Sequence, residues 1–136
     1  MSYALALDLQ KALHARLVTD PALAALVGGH GYDAMPPGKL PALFVVLGAE
    51  TARDRSDATA RGAEHDVTVS VISGGRGFAE AKAAAAAVSD ALLAPGLALA
   101  RGHLVSLHFR RASARRGQRG RYRRIDLVFR ARVDGA

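Results

Sequence analysis

The sequence predicts an α+β fold, an antiparallel sheet of about four strands with two main helices packed on one face. Three observations predict it. Apolar residues recur at helical spacing in two stretches, one near the N-terminus and one in an alanine-rich run before Pro95. Apolar and polar residues alternate strictly in three others, as half-buried strands require. The last two of these are long and joined by a glycine-containing connection, which makes them an antiparallel hairpin. The order helix, helix, strand, strand, helix, strand, strand fits helices laid on one face of such a sheet. Half of the 136 residues are hydrophobic, enough for one continuous core, so residues 1–136 are expected to form one domain.

Taken in order, Leu5, Leu9, Ala12, Leu13 and Leu17 fall on one face of a helix over Tyr3 to Leu17, with Asp8, Lys11 and Arg16 on the other. Thr19-Asp20-Pro21 then punctuates. Aspartate caps a helix and proline suits its first turn, so Ala22 to Val27 predicts a second, short helix ended by Gly28-Gly29. The stretch His30 to Leu40 is turn-rich, and Pro41 opens a β-branched and aromatic run, Ala-Leu-Phe-Val-Val-Leu-Gly, that predicts a strand. Glu50 to Ala63 carries Arg53, Asp54, Arg55, Asp57 and Arg61 without an apolar anchor and is expected to be a long exposed loop or the flexible tip of a hairpin. Val67, Val69 and Val71 alternate with Asp66, Thr68 and Ser70 in the next strand. Phe78, Ala81, Ala85, Val88 and Leu92 mark the alanine-rich helix, which stops at Pro95-Gly96. Val105, Leu107 and Phe109 face one way in the first hairpin strand, as do Ile125, Leu127, Phe129, Ala131 and Val133 in the second, with the turn at Gly117 to Gly120.

The chemistry of an enzyme is missing from this pattern. The absence of cysteine removes disulfides, thiolate metal sites and thiol nucleophiles. Histidines 14, 30, 65, 103 and 108 are scattered with no pair at metal-ligand spacing, which leaves them as exposed or edge residues; His65 and Asp66, adjacent on a strand, face opposite sides. Gly74 to Gly77 precedes a helix but lacks the lysine and hydroxyl sequel of a phosphate loop. No serine sits in a nucleophile elbow, and no carboxylate pair stands in an apolar context. No catalytic, metal or cofactor residue is therefore expected, and no cofactor. The opening Met1 to Lys11 lacks a secretory pattern and no stretch is apolar for long enough to span a bilayer, so a cytoplasmically made protein without membrane contact is expected.

One region exceeds what folding needs. The net charge of +7 resides in eight arginines, Arg110, Arg111, Arg115, Arg116, Arg119, Arg121, Arg123 and Arg124, with no acid among them; the remainder holds 11 basic against 12 acidic residues. Three readings stand side by side. The arginines form a solvated hairpin tip, or they neutralise the phosphates of duplex nucleic acid, or they pair with acidic patches on a protein partner or a second copy, for which Asp54, Asp57, Glu64 and Asp66 are available. Base stacking finds little support, since Tyr122 is the one aromatic in the cluster.

In sequence order, Leu5-Ala-Leu-Asp-Leu-Gln-Lys-Ala-Leu-His-Ala-Arg-Leu, Ala24-Ala-Leu-Val-Gly-Gly, Gly31-Tyr-Asp-Ala-Met-Pro-Pro-Gly and Leu40-Pro-Ala-Leu-Phe-Val-Val-Leu-Gly are followed by Gly62-Ala-Glu-His-Asp-Val-Thr-Val, the alanine-rich helix and the hairpin. This succession resembles the small tail-completion family of siphophages and gene transfer agents. The resemblance implies a tail terminator in the virion or particle, a ring, hexameric in related tails, on the head-proximal end of the tail tube. Such a ring stops polymerisation and joins the head connector or stopper, with no catalytic residues. Its partners would be copies of itself, the tube protein and the connector. The eight hairpin arginines would contact a partner or passing DNA, and the Glu50 to Ala63 segment would serve as an assembly loop. The alternatives are a small basic nucleic-acid-binding module and another connector or stopper component.

Overall fold

A computed structural model describes residues 3–28, 31–32, 42–56, 62–74, 77–117 and 121–135. Among these the chain forms helices α1 (Ala6–Thr19), α2 (Pro21–Val27) and α3 (Ala79–Leu93), and strands β1 (Gly31–Tyr32), β2 (Leu43–Asp54), β3 (Gly62–Ser73), β4 (His103–Gly117) and β5 (Tyr122–Asp134). The α+β class and the antiparallel four-stranded sheet are as expected. β1 is additional, a two-residue strand parallel to β2 inside the stretch expected to be turn-rich. The sheet order is β1-β2-β3-β5-β4. Because β5 runs antiparallel to both β3 and β4, those two are parallel, and α3 is the crossover that links them.

Local chemistry sets the helix ends. Asp20 accepts a hydrogen bond from the Leu23 amide at 2.9 Å, Pro21 occupies the first turn, and Gly28 closes α2 in the left-handed conformation. Arg16, in the last turn of α1, donates to the carbonyls of Ala91 (3.1 Å) and Ala94 (3.2 Å), which are orphan acceptors at the end of α3. One guanidinium thus ties two helices together. The alanines of α3 allow close approach, and Ala81, Ala84, Ala85, Val88 and Leu92 are buried against the sheet.

The sheet has two unlike faces. Inward-pointing Val67, Val69 and Val71 of β3, Ile125, Leu127, Phe129, Ala131 and Val133 of β5, and Leu43, Val45 and Leu47 of β2 form one core with Leu9, Leu13, Leu17, Leu23 and Val27. On the opposite face Phe44, Val46 and Ile72 make a small separate cluster at one end, flanked by Tyr122. Apart from Val128 and Ala49, the rest of that face is polar.

Two expectations are corrected. The stretch from Glu50 to Ala63, expected as a long exposed loop or hairpin tip, is strand at both ends: β2 continues to Asp54 and β3 begins at Gly62, with Arg53 opposite Glu64 and Asp54 opposite Ala63. Cross-strand ion pairing, invisible to a search for apolar anchors, carries the strands outward. In β4, Leu107 and Phe109 share the core-facing side as expected, opposite Ala131 and Phe129, but Val105 is exposed and Leu104 packs against the core in its place. The cause is an extra residue at Val105, where the register slips between Leu104 and Ser106 and breaks the simple alternation. Phe109 keeps an edge-on contact with Phe129, ring centroids 5.8 Å apart.

Two substitutions test this packing. Leu9 is fully buried, and Leu9→Ala is expected to cost about 2–5 kcal/mol in urea unfolding followed by circular dichroism. Gly102 has φ +77°, and a Cβ there would meet Leu5 Cδ1 at 2.6 Å and the Asp134 carbonyl at 2.9 Å, so Gly102→Ala should lower stability by about 1–3 kcal/mol. An unchanged midpoint in either would show that the N-terminal helix does not dock as described.

Candidate functional site

The described arginines of this region lie on the strands that flank the hairpin turn and in the turn itself. Arg110, Arg111, Arg115 and Arg116 lie on β4, Arg123 and Arg124 on β5, and Arg121 in the turn, while Arg119 lies outside the described residues. Strand pairing sorts them by face. Arg111 opposite Val128 and Arg115 opposite Arg124 point to the polar face, whereas Arg116 and Arg123 pair on the helix side. There the Arg123 guanidinium sits 5.6 Å from the Phe78 ring centroid. The cations expected as one cluster are therefore divided, where they lie on the described strands, between two sides of a sheet.

On the polar face, neighbouring strands supply the acids that the arginine segment lacks. Arg124 donates to Asp126 at 2.9 Å and to the Ser70 hydroxyl at 3.2 Å, Ser70 donates to Asp126 at 2.6 Å, and Arg115 approaches the other Asp126 oxygen at 3.5 Å. Arg130 makes a forked pair with Asp66, at 2.8 and 3.0 Å, and Arg110 lies 3.7 Å from the same carboxylate. Of the assembly-loop residues, Arg53 donates to Glu64 at 2.7 Å, Arg55 lies 3.5 Å from it, and Asp54 accepts from the Ser56 amide at 3.1 Å. Asp57 and Arg61 lie outside the described residues. Glu64 and Asp66, considered above as acids for a second molecule, are engaged within the chain. Arg111, Arg116 and Arg121 are exposed and make no hydrogen bond or ion pair with a described residue.

His65 differs from the expected exposed or edge histidine: it is fully buried. Its Nδ1 lies 3.0 Å from a Glu50 carboxylate oxygen, and the Tyr3 hydroxyl donates to the other oxygen of Glu50. That hydrogen bond and the Glu50 charge raise the Tyr3 hydroxyl above its ordinary pKa. The signal was present in the sequence, since His65 is in phase with Val67, Val69 and Val71. This arrangement fastens the segment before α1 to the sheet. Among the described residues no three His, Asp or Glu side chains gather as metal ligands.

The polar face has a pH signature. Burial pushes Asp126 up, but hydrogen bonds from Ser70 and Arg124 and the charges of Arg124 and Arg115 outweigh it and hold the carboxyl below its usual range. Glu64 is likewise lowered, burial opposing and Arg53, Arg130 and Arg55 prevailing. For carboxyls lowered by folding, the stabilisation is fully present above the unfolded value, about 4, and is lost as pH falls through the folded value. Melting temperature should therefore fall as pH drops below about 4, and Asp126→Asn should flatten that fall while lowering the melting temperature at pH 7. A variant with the wild-type pH profile would remove Asp126 from this account.

Comparison with known proteins agrees with this geometry. A chain in the virion of a native gene transfer agent particle is 57% identical, superposes with a TM-score of 0.92, and the match covers 98% of this chain and 100% of that one. The type 4 fimbrial biogenesis protein PilO from Pseudomonas aeruginosa is 10% identical at a TM-score of 0.40, covering 97% and 87%, a level from which nothing follows. No curated protein matches the sequence. The tail completion protein gp17 family matches residues 11–134, from within the first helix to the end of the last strand. The chain belongs to that family of structural tail proteins, which are not enzymes.

Proposed function

We propose that this chain is a tail terminator of a gene transfer agent or phage-type particle, a ring of six copies that caps the head-proximal end of the tail tube and joins it to the head connector or stopper. The observation that carries the reading is the match over nearly the whole of both chains to a component of a gene transfer agent virion. The surface supports it as well. A ring needs heterologous contacts, in which different patches of one subunit meet. The chain offers unlike sides for this, a helical side with exposed Leu7, Val18 and Leu26, and a polar sheet face with an edge strand bearing Val105 and Phe109. Light scattering of the purified chain, alone and with polymerising tube protein, tests it together with electron microscopy of tube length. Rings, or tubes stopped at a defined length with the chain at one end, are expected. A persistent monomer that leaves tube growth unaltered would sink the reading.

A second reading concerns the hairpin end. Arg116 and Arg121 are exposed without an internal counter-ion, and in a ring lumen they would meet the phosphates of passing duplex DNA. Such contact is weak and independent of sequence, since tight binding would hinder passage. In a filter-binding salt titration, Arg116→Gln with Arg121→Gln should lower the salt slope by about 2, one counter-ion per phosphate contact. An unchanged slope together with failed head joining would assign these arginines to a protein contact.

A further inference from the structure

The polar face of the sheet carries a trough at its centre. Two bulges lie at the same level of the sheet on opposite sides. On β2, Gly48 and Ala49 oppose the single residue Thr68; on β4, the register slips between Phe109 and Arg111, beside Val128. Thr68 and Val128 are themselves paired, so one cross-strand pair is flanked by both irregularities. Bulges bend and twist the strands that carry them and recur beside functional surfaces. Here the small residues Gly48, Ala49, Thr68 and Ser113 leave a depression of about 360 Å³.

Two more depressions continue it. The first shares Ala49, Thr68, Arg111 and Val128 with its neighbour, and the last is reached through Thr51 and Asp66. Together they follow the outward residues of β3 from Ile72 to Glu64, about 26 Å at the rise of a strand. That is the reach of an extended segment of about eight residues. At one end the walls are apolar, Val46 and Ile72; at the other, Glu64 and Asp66 are already neutralised by Arg53 and Arg130. In the middle stands Arg111, exposed and without an internal counter-ion, beside Thr68 and Ser113, whose hydroxyls make no hydrogen bond to a described residue.

We infer that this trough is the docking site for an extended segment of a partner protein that places one acidic side chain against Arg111 and an apolar residue about four positions away against Val46 and Ile72. The spacing follows from the four residues that separate Thr68 from Ile72 along β3. The choice of protein over nucleic acid follows from charge. Along the trough Asp126, Asp66 and Glu64 are each matched by arginines, so a run of phosphates would find little uncompensated positive charge, whereas a segment with a single acid meets Arg111, the trough arginine without a counter-ion among the described residues. The inference rests on the tail reading only in so far as the partner is another component of the particle.

The test is made in assembled particles, with a diazirine amino acid in place of Thr68 and, as control, in place of Ala83 on the outer side of α3. Irradiation followed by mass spectrometry is expected to join Thr68's position to a protein segment with the stated pattern. The yield should fall about tenfold in Arg111→Glu, the scale of one lost charge-assisted pair, and stay unchanged in Lys11→Glu. Cross-links to DNA, to a segment without an acid, or in a yield indifferent to Arg111→Glu overturn the inference. Particles that contain the chain and are properly capped, yet give no cross-link from position 68, overturn the trough alone. Absence of the chain from particles overturns both this and the terminator reading.

Discussion

The rest of the structure depends on the ladder between β3 and β5. It runs for twelve consecutive pairs, from Gly62 opposite Asp134 to Ser73 opposite Arg123, without a slip in register. Because side chains alternate across a sheet, this one unbroken register decides the face of every residue on both strands. It sends Val67, Val69, Val71, Leu127 and Phe129 to the helices and aligns Asp66 with Arg130 and Ser70 with Asp126 on the other side. The dry core and the ion-pair lattice are two consequences of one alignment.

The flanking strands are irregular where the central pair is regular. β2 slips once and β4 twice, so the outer strands bend while the middle of the sheet holds its line. Buried Val69, Val71 and Phe129 keep the centre fixed. Surface ion pairs contribute modestly to stability, since solvent and salt screen them. On this face they do something else: Glu64, Asp66 and Asp126 each engage more than one arginine, which gives long side chains definite positions on an otherwise open surface. A tail completion protein meets its neighbours through its surface, and definite side-chain positions reduce the ordering cost of doing so.

The architecture was legible wherever one period governed a segment. The stripe from Leu5 to Leu17, the Asp20-Pro21 start of α2, the alanine helix and the alternation of Val67 to Val71 each report their own burial. The remainder was hidden because it depends on residues distant in sequence. Arg53 and Glu64 look like loop residues until they face each other. The eight arginines look like one positive cluster until Asp66, Asp126 and Phe78 are brought beside them. An added residue such as Val105 cannot be recognised from alternation, because it is the point where alternation fails. His65 was the exception, since its phase already placed it inward. The family resemblance covered what periodicity left open, because the order of segments along the chain carries information that no single segment holds.

The extra residues at Val105 and Arg110 bear on the life of the subunit before it joins a tail. β4 is a long edge strand, and an edge of that length offers unpaired amides and carbonyls to any extended chain, the usual seed of sheet-to-sheet aggregation. Two kinks and a row of guanidinium groups make that edge a poor template. Newly made subunits can thus accumulate without zipping into fibres before they enter a particle.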